Sequence, residues 1–99
     1  MINGLLIYDL ETNGYFNDNP DPQAIELAFL YVTPLGIMVY NELINKDKAG
    51  NNIVITDRIT EVTGITNSML ELEGKSALEV LPEFTKVAQE ANLVVGHNS

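Results

Sequence analysis

Apolar residues in this chain come in two spacings, and the spacing changes where the turn residues fall. "GLLIYDL", Gly4 to Leu10, is a continuous apolar run of strand length bounded by turn residues, the pattern of a central strand covered on both faces. "AIELAFLYVT", Ala24 to Thr33, and "IMVYNELI", Ile37 to Ile44, are separated by a short turn holding Pro34 and Gly36, which predicts an antiparallel hairpin. "YFNDNPDP", Tyr15 to Pro22, and "NKDKAGNN", Asn45 to Asn52, are rich in Asn, Asp, Gly and Pro and read as polar loops.

Beyond the second loop the period becomes helical. "TDRITEVTG" offers Thr56 or Asp57 as an N-cap and Gly64 as a terminator, so a short helix fits between them. Ser76 and Glu79 have capping-box spacing, and Leu78, Leu81, Phe84, Ala88 and Ala91 recur at helical intervals, which predicts one apolar helix face. Pro82 falls inside that helix and removes one backbone bond, so a bend or restart is expected there. "NLVVGHNS" closes the chain with a buried-type strand at Leu93 to Val95, whose register is expected to turn Leu93 and Val95 toward the core. Three strands, then helices, then a strand predict an α/β sandwich with a mixed sheet.

Composition narrows the chemistry. The 99 residues are bounded to one domain or part of one, and 45% apolar content excludes a disordered chain. No apolar stretch approaches the roughly 20 residues of a membrane span. Met1 is followed by no basic segment or cleavage signal, and there is no cysteine, so a cytoplasmic location is expected and thiolate metal sites are excluded. A net charge of −9, with only Lys46, Lys48, Arg58, Lys75 and Lys86 positive, argues against a broad basic face for nucleic acid. Any such contact must be local or metal-mediated.

Within "YDLETNG", Asp9 and Glu11 lie two apart at the exit of the first strand. Residues at that spacing share a strand face, so both carboxylates converge on one point. Convergent carboxylates repel unless a cation lies between them, and hard cations such as Mg²⁺ or Mn²⁺ take oxygen ligands. The pair reads as half of a metal site, with two solvated charges at a strand end as the blander alternative.

"YDLETNG" resembles the first motif of the DnaQ-like (DEDD) 3′-5′ exonucleases, an apolar strand followed by D-x-E-T-x-G, and "LVVGHNS" resembles the opening of their second motif. "AIELAFL", "VTGIT" and "MLELEGKSALEVLPEF" resemble the intervening second strand, G-I-T segment and helix, in the family's order. The resemblance implies a ribonuclease-H-like mixed sheet of three antiparallel strands, then helices and a parallel strand, incomplete at its C-terminus. Residues 1–99 would then be the N-terminal part of a single exonuclease domain. It implies hydrolysis of phosphodiester bonds at nucleic-acid 3′ ends, with Asp9 and Glu11 as catalytic metal ligands, the first two of four acidic residues that hold two Mg²⁺ or Mn²⁺ ions. Thr12, Asn98 and His97 would bind substrate; His97 matches a positioning histidine rather than the general base, and turn stabilisation is a comparable role for Thr12. The remaining ligands and the base have no counterpart here, so the 99 residues alone are expected to be inactive. The expected partners are a single-stranded 3′ end of DNA or RNA, a missing C-terminal half or a polymerase, and no membrane.

Two other readings compete. A haloacid-dehalogenase-type phosphohydrolase also begins with an apolar strand and D-x-D-x-T, but Glu11 and the hairpin turn at Pro34 to Gly36 count against it. A non-enzymatic acidic interaction protein is permitted by the charge, although the acids are scattered rather than clustered. Glu26, in a strand beside the first, reads as a strand-edge carboxylate facing water, with reach into the metal shell as the alternative.

Overall fold

The computed structural model describes residues 3–14 and 22–98, and for Asn98 the backbone only. The expected loop at Tyr15 to Pro22 therefore lies almost wholly outside the described residues. Strands β1 (Leu5–Thr12), β2 (Ala24–Thr33) and β3 (Gly36–Lys46) are followed by α1 (Asp57–Thr63), α2 (Asn67–Glu73), β4 (Lys75–Ser76), α3 (Ala77–Glu90) and β5 (Leu93–Asn98). They build one sheet in the order β4-β3-β2-β1-β5. β2 runs antiparallel to both β1 and β3, while β5 runs parallel to β1 and β4 parallel to β3. The mixed α/β sheet expected from the pattern is present. Its antiparallel first strands depart from the predominantly parallel sheet that a dehalogenase-type phosphohydrolase requires.

One face of the sheet carries the core. Alternation along the strands sends Leu6 of β1 and Ile25, Leu27 and Phe29 of β2 to the side covered by helices, where Val80 and Val87 of α3 and Leu70 of α2 meet them, all buried. The rings of Tyr8, Phe84 and Phe29 form an edge-to-face series, with centroids 4.9 Å apart for Tyr8–Phe84 and 6.1 Å for Phe29–Phe84. Tyr8 pairs across the sheet with Gly96, and a Cβ at Gly96 would collide with the Tyr8 ring. Only glycine lets β5 lie flat under that ring.

The helix ends follow their caps. Thr56 Oγ1 accepts from the Ile59 amide, and Gly64, at φ 79°, ends α1 with its amide donating to the Thr60 carbonyl. Thr66 caps α2 by accepting from the Met69 amide. Asn45 then ties the end of α2 to β3, its Nδ2 donating to the carbonyls of Leu70 at 3.1 Å and Gly74 at 3.0 Å. Among the described residues no helix is long and apolar enough to cross a membrane.

Five expectations are corrected. The segment "MLELEGKSALEVLPEF" is not one helix but α2 and α3, separated by Gly74 and the two-residue strand β4, because the Lys75 and Ser76 backbone pairs with β3 and Lys75 Nζ bonds Glu42 at 3.1 Å. Ser76 makes no side-chain cap bond, so the expected capping box is absent. Of the five residues expected on the apolar face, only Leu78 lies off it, at 64% exposed; Leu81, Phe84, Ala88 and Ala91 pack against the core beside the buried Ala77, Val80 and Val87. α3 does not restart at Pro82 but continues through it, and the orphaned Leu78 carbonyl lies on the exposed side of the helix, where water can satisfy it. Leu93 and Val95 share the face of Leu5 and Ile7, opposite the helices, and remain nearly half exposed.

Candidate active site

β1 divides its side chains by period two: Leu6, Tyr8 and Leu10 turn to the helices, and Ile7, Asp9 and Glu11 to the open face. The two carboxylates predicted to converge therefore do share a face. Each neighbouring strand adds a residue to that face at the same level. The antiparallel register sets Glu26 of β2 opposite Glu11 and Ala28 opposite Asp9. The parallel register sets His97 of β5 beside Asp9, and their side chains meet at 3.2 Å between Nδ1 and Oδ1. With Asp9 ionised, Nδ1–H is the donor and Oδ1 the acceptor. The pair is open to solvent, the His97 side chain 73% and that of Asp9 49% exposed.

The local field is negative. The pKa of Glu26 is raised above its ordinary 4.5, first by burial and then by the charges of Glu11 and Asp9. Glu26, expected to face water as a bystander, thus belongs electrostatically to the carboxylate pair. Small backbone at Ala28 leaves room beside Asp9, and a shallow depression of about 360 Å³ runs from Asp9 and His97 over Ile7, Leu30 and Val39 toward Asn41. A larger hollow of about 760 Å³ lies along α3 between Lys48, Leu81 and Lys86 and holds no carboxylate, so volume alone does not mark the chemistry.

The exit of β1 is held by its neighbours. The β1–β2 register shifts between Glu11 and Thr12, and beyond it Asn13 clamps the start of β2: its amide donates to the Gln23 carbonyl at 2.9 Å and its Oδ1 accepts from the Gln23 amide at 2.8 Å. Thr12 Oγ1 donates to the Gly14 carbonyl at 2.9 Å, the turn-stabilising contact weighed for it from the sequence. Its hydroxyl oxygen keeps acceptor capacity, and its backbone stands beside Glu11. Asn98 continues β5 past His97, paired with Leu10; its side chain lies outside the described residues.

The donor set is one of hard oxygens, which suits a divalent cation of the Mg²⁺ or Mn²⁺ type rather than a soft metal. Among the described residues no group of three or more His, Cys, Asp or Glu side chains is arranged to enclose an ion. Asp9 and Glu11 present two carboxylates on one face of β1. Sequence reasoning missed Asn13 and underrated Glu26, because the segment from Asn13 to Gln23 is too long for turn geometry to fix which β2 residue faces Glu11.

An exonuclease family model, RNase_T, matches residues 6–99. Among solved structures, a full-length 3′-exonuclease superposes with a TM-score of 0.66 at 14% identity, over 96% of this chain and 46% of that one. At that identity the likeness is one of fold, and this chain spans less than half of the protein it superposes on. Among curated proteins no sequence relative matches.

Proposed function

This chain belongs to the exonuclease family whose model spans residues 6–99, and on that premise we propose that its domain hydrolyses phosphodiester bonds at nucleic-acid 3′ ends with Mg²⁺ or Mn²⁺. The observation that carries this reading is the alignment of Asp9 and Glu11 on one face of β1, with the β1–β5 register bringing His97 against Asp9. A scattered acidic surface gives no reason for a paired carboxylate to be braced by the chain's only histidine.

Each residue has a part in that reading. Asp9 and Glu11 hold the cation, which supplies activation of the attacking water and charge stabilisation at the leaving oxygen. His97 uses Nδ1–H to fix the Asp9 carboxylate, leaving Nε2 directed away from Asp9 to meet a substrate oxygen. It therefore acts as a positioning and substrate-binding residue rather than as the base. Thr12 meets the terminal nucleotide through its backbone or its hydroxyl oxygen, and Asn98 binds the substrate backbone beyond His97. Glu26 adds negative potential that draws a cation to the face. Because groups that act as a unit fail together, two ligands without a complete set give no turnover from these 99 residues alone.

Calorimetric titration of Mn²⁺ in the presence of oligonucleotides tests the reading. Weak Mn²⁺ binding should be strengthened by a short linear single strand with a free 3′ hydroxyl and not by a circular single strand of the same composition. Equal enhancement by the circle, or binding untouched by D9N with E11Q, would remove the 3′-end assignment.

A further inference from the structure

The two carboxylates of β1 are held in different ways. Asp9 has His97 of β5 against it, at 3.2 Å. Glu11 lies beyond that support, because among the described residues the β1–β5 pairing ends at Leu10 and Asn98. On its other side Glu11 faces Glu26, a like charge directly opposite in an antiparallel pair, which favours parting of the strands. The ladder is also irregular there. Glu11 pairs with Glu26 and Thr12 with Ala24, so Ile25 is the extra residue of a bulge, and its side chain is fully buried in the core. A like-charge pair beside a bulge at a strand end is where a ladder is weakest.

Asn13 closes the ladder just past this point. In a regular hydrogen-bonded antiparallel pair the two residues exchange both backbone bonds. Asn13 and Gln23 make the first of these, from the Asn13 amide to the Gln23 carbonyl at 2.9 Å, but the Gln23 amide donates to the Asn13 side-chain Oδ1, at 2.8 Å. The closure therefore depends on a side chain that carries an oxygen at that reach, as Asn and Asp do. Thr12 lies between Glu11 and the clamp, its hydroxyl donating to the Gly14 carbonyl, so the chain is tied on both sides of residue 13. Resting on the reading of Asp9 and Glu11 as a cation site, we propose that Asn13 is a positioning residue of that site: its clamp on Gln23 keeps β1 and β2 closed at Glu11 and holds the Glu11 carboxylate within reach of the ion that Asp9 binds. Asn13 acts through Glu11, as His97 acts on Asp9 from the opposite strand.

Mn²⁺ titration of the 99-residue chain by residue-resolved NMR tests this, at a temperature where circular dichroism shows the variants folded. N13A removes the acceptor of the clamp and Q23P its donor, proline being tolerated at the entry to a strand; either variant suffices if the other fails to fold. Each should raise the Mn²⁺ dissociation constant about three- to tenfold, the effect of losing one ordering hydrogen bond, and should weaken broadening at Glu11 relative to Asp9. N13D keeps the oxygen, so the Glu11-to-Asp9 ratio should return to that of the unmodified chain, whatever its added charge does to affinity. H97A should shift the ratio the other way. A clamp that is merely structural lowers the melting temperature of N13A but leaves affinity and ratio unchanged in the folded chain. That result, or a ratio that N13D fails to restore, overturns the proposal while the cation site stands. Broadening at Asp9 and Glu11 no stronger than elsewhere in the unmodified chain overturns the cation site, and the proposal with it.

Discussion

Replacing Gly96 with alanine probes the contact on which the β1–β5 register depends. The added Cβ would collide with the hydroxyl end of the Tyr8 ring, which has little freedom to yield because Phe84 packs edge-on against it at 4.9 Å and Phe29 lies behind Phe84. Overpacking of this kind costs about 1–3 kcal/mol, and a weakened aromatic pair adds about 0.5–1.5 kcal/mol. The expected loss is therefore about 2–4 kcal/mol, a large share of the roughly 5–15 kcal/mol that stabilises a domain of ordinary stability. Urea denaturation followed by circular dichroism reads it as a fall in midpoint, and thermal unfolding as a drop of roughly 10 °C or more. A double-mutant cycle supplies the control: with Tyr8→Ala in place the Cβ has room, so Gly96→Ala should cost about 1 kcal/mol or less. A loss below about 0.5 kcal/mol in the unmodified background, or an equal loss with and without Tyr8, would refute the argument that ring and glycine are matched.

Three further outcomes follow from named contacts. Glu26→Gln should stabilise the fold at neutral pH by less than about 1 kcal/mol, the discount reflecting a largely solvated carboxyl. The raised pKa means that the folded state keeps the Glu26 proton longer than the unfolded chain, so native stability is full below about pH 4.5 and declines as pH rises through the raised value; denaturation curves at several pH values should show the variant's advantage opening over that range and vanishing below it. Asn45→Ala removes the donor to the Leu70 and Gly74 carbonyls and should cost about 1–3 kcal/mol, with hydrogen exchange quickening in α2 before α3. On α3, Val80→Ala should cost about 2 kcal/mol, whereas Leu78→Ala should cost less than about 0.5 kcal/mol; equal losses in urea melts would show that Leu78 also belongs to the packed face.

The parts of the fold legible in the sequence are those fixed by local geometry. The β1 run, the hairpin about Pro34 to Gly36, the Thr56 cap and the Gly64 terminator each depend on neighbours a few residues away, and each is where the pattern put it. On α3 the period puts Leu81, Phe84, Ala88 and Ala91 against the core, where they are, but it does not show that Ala77, Val80 and Val87 lie deepest or that Leu78 stays exposed, because that selection is tertiary. β4 itself is invisible in two residues. Leu93 and Val95 looked like core positions because their strand is apolar on both faces, yet they fall on the face opposite the helices, and Val94 on the other face is itself 43% exposed. In the site, the shared face of Asp9 and Glu11 follows from period two alone. The meeting of His97 with Asp9 needs the parallel register, and the approach of Glu26 to Glu11 needs an antiparallel one across a connection too long to specify it.

Whether Asp9 and Glu11 hold a divalent ion is tested most directly by residue-resolved NMR of the 99-residue chain during Mn²⁺ titration. A bound Mn²⁺ should broaden the amides of Asp9 to Thr12 first, then those of Glu26 and His97 on the adjoining strands, with β4 and α2 spared until higher concentration, and D9N with E11Q should abolish the early broadening. Uniform broadening across the acidic surface, or early loss of the same resonances in the doubly substituted chain, would contradict a metal site at the end of β1.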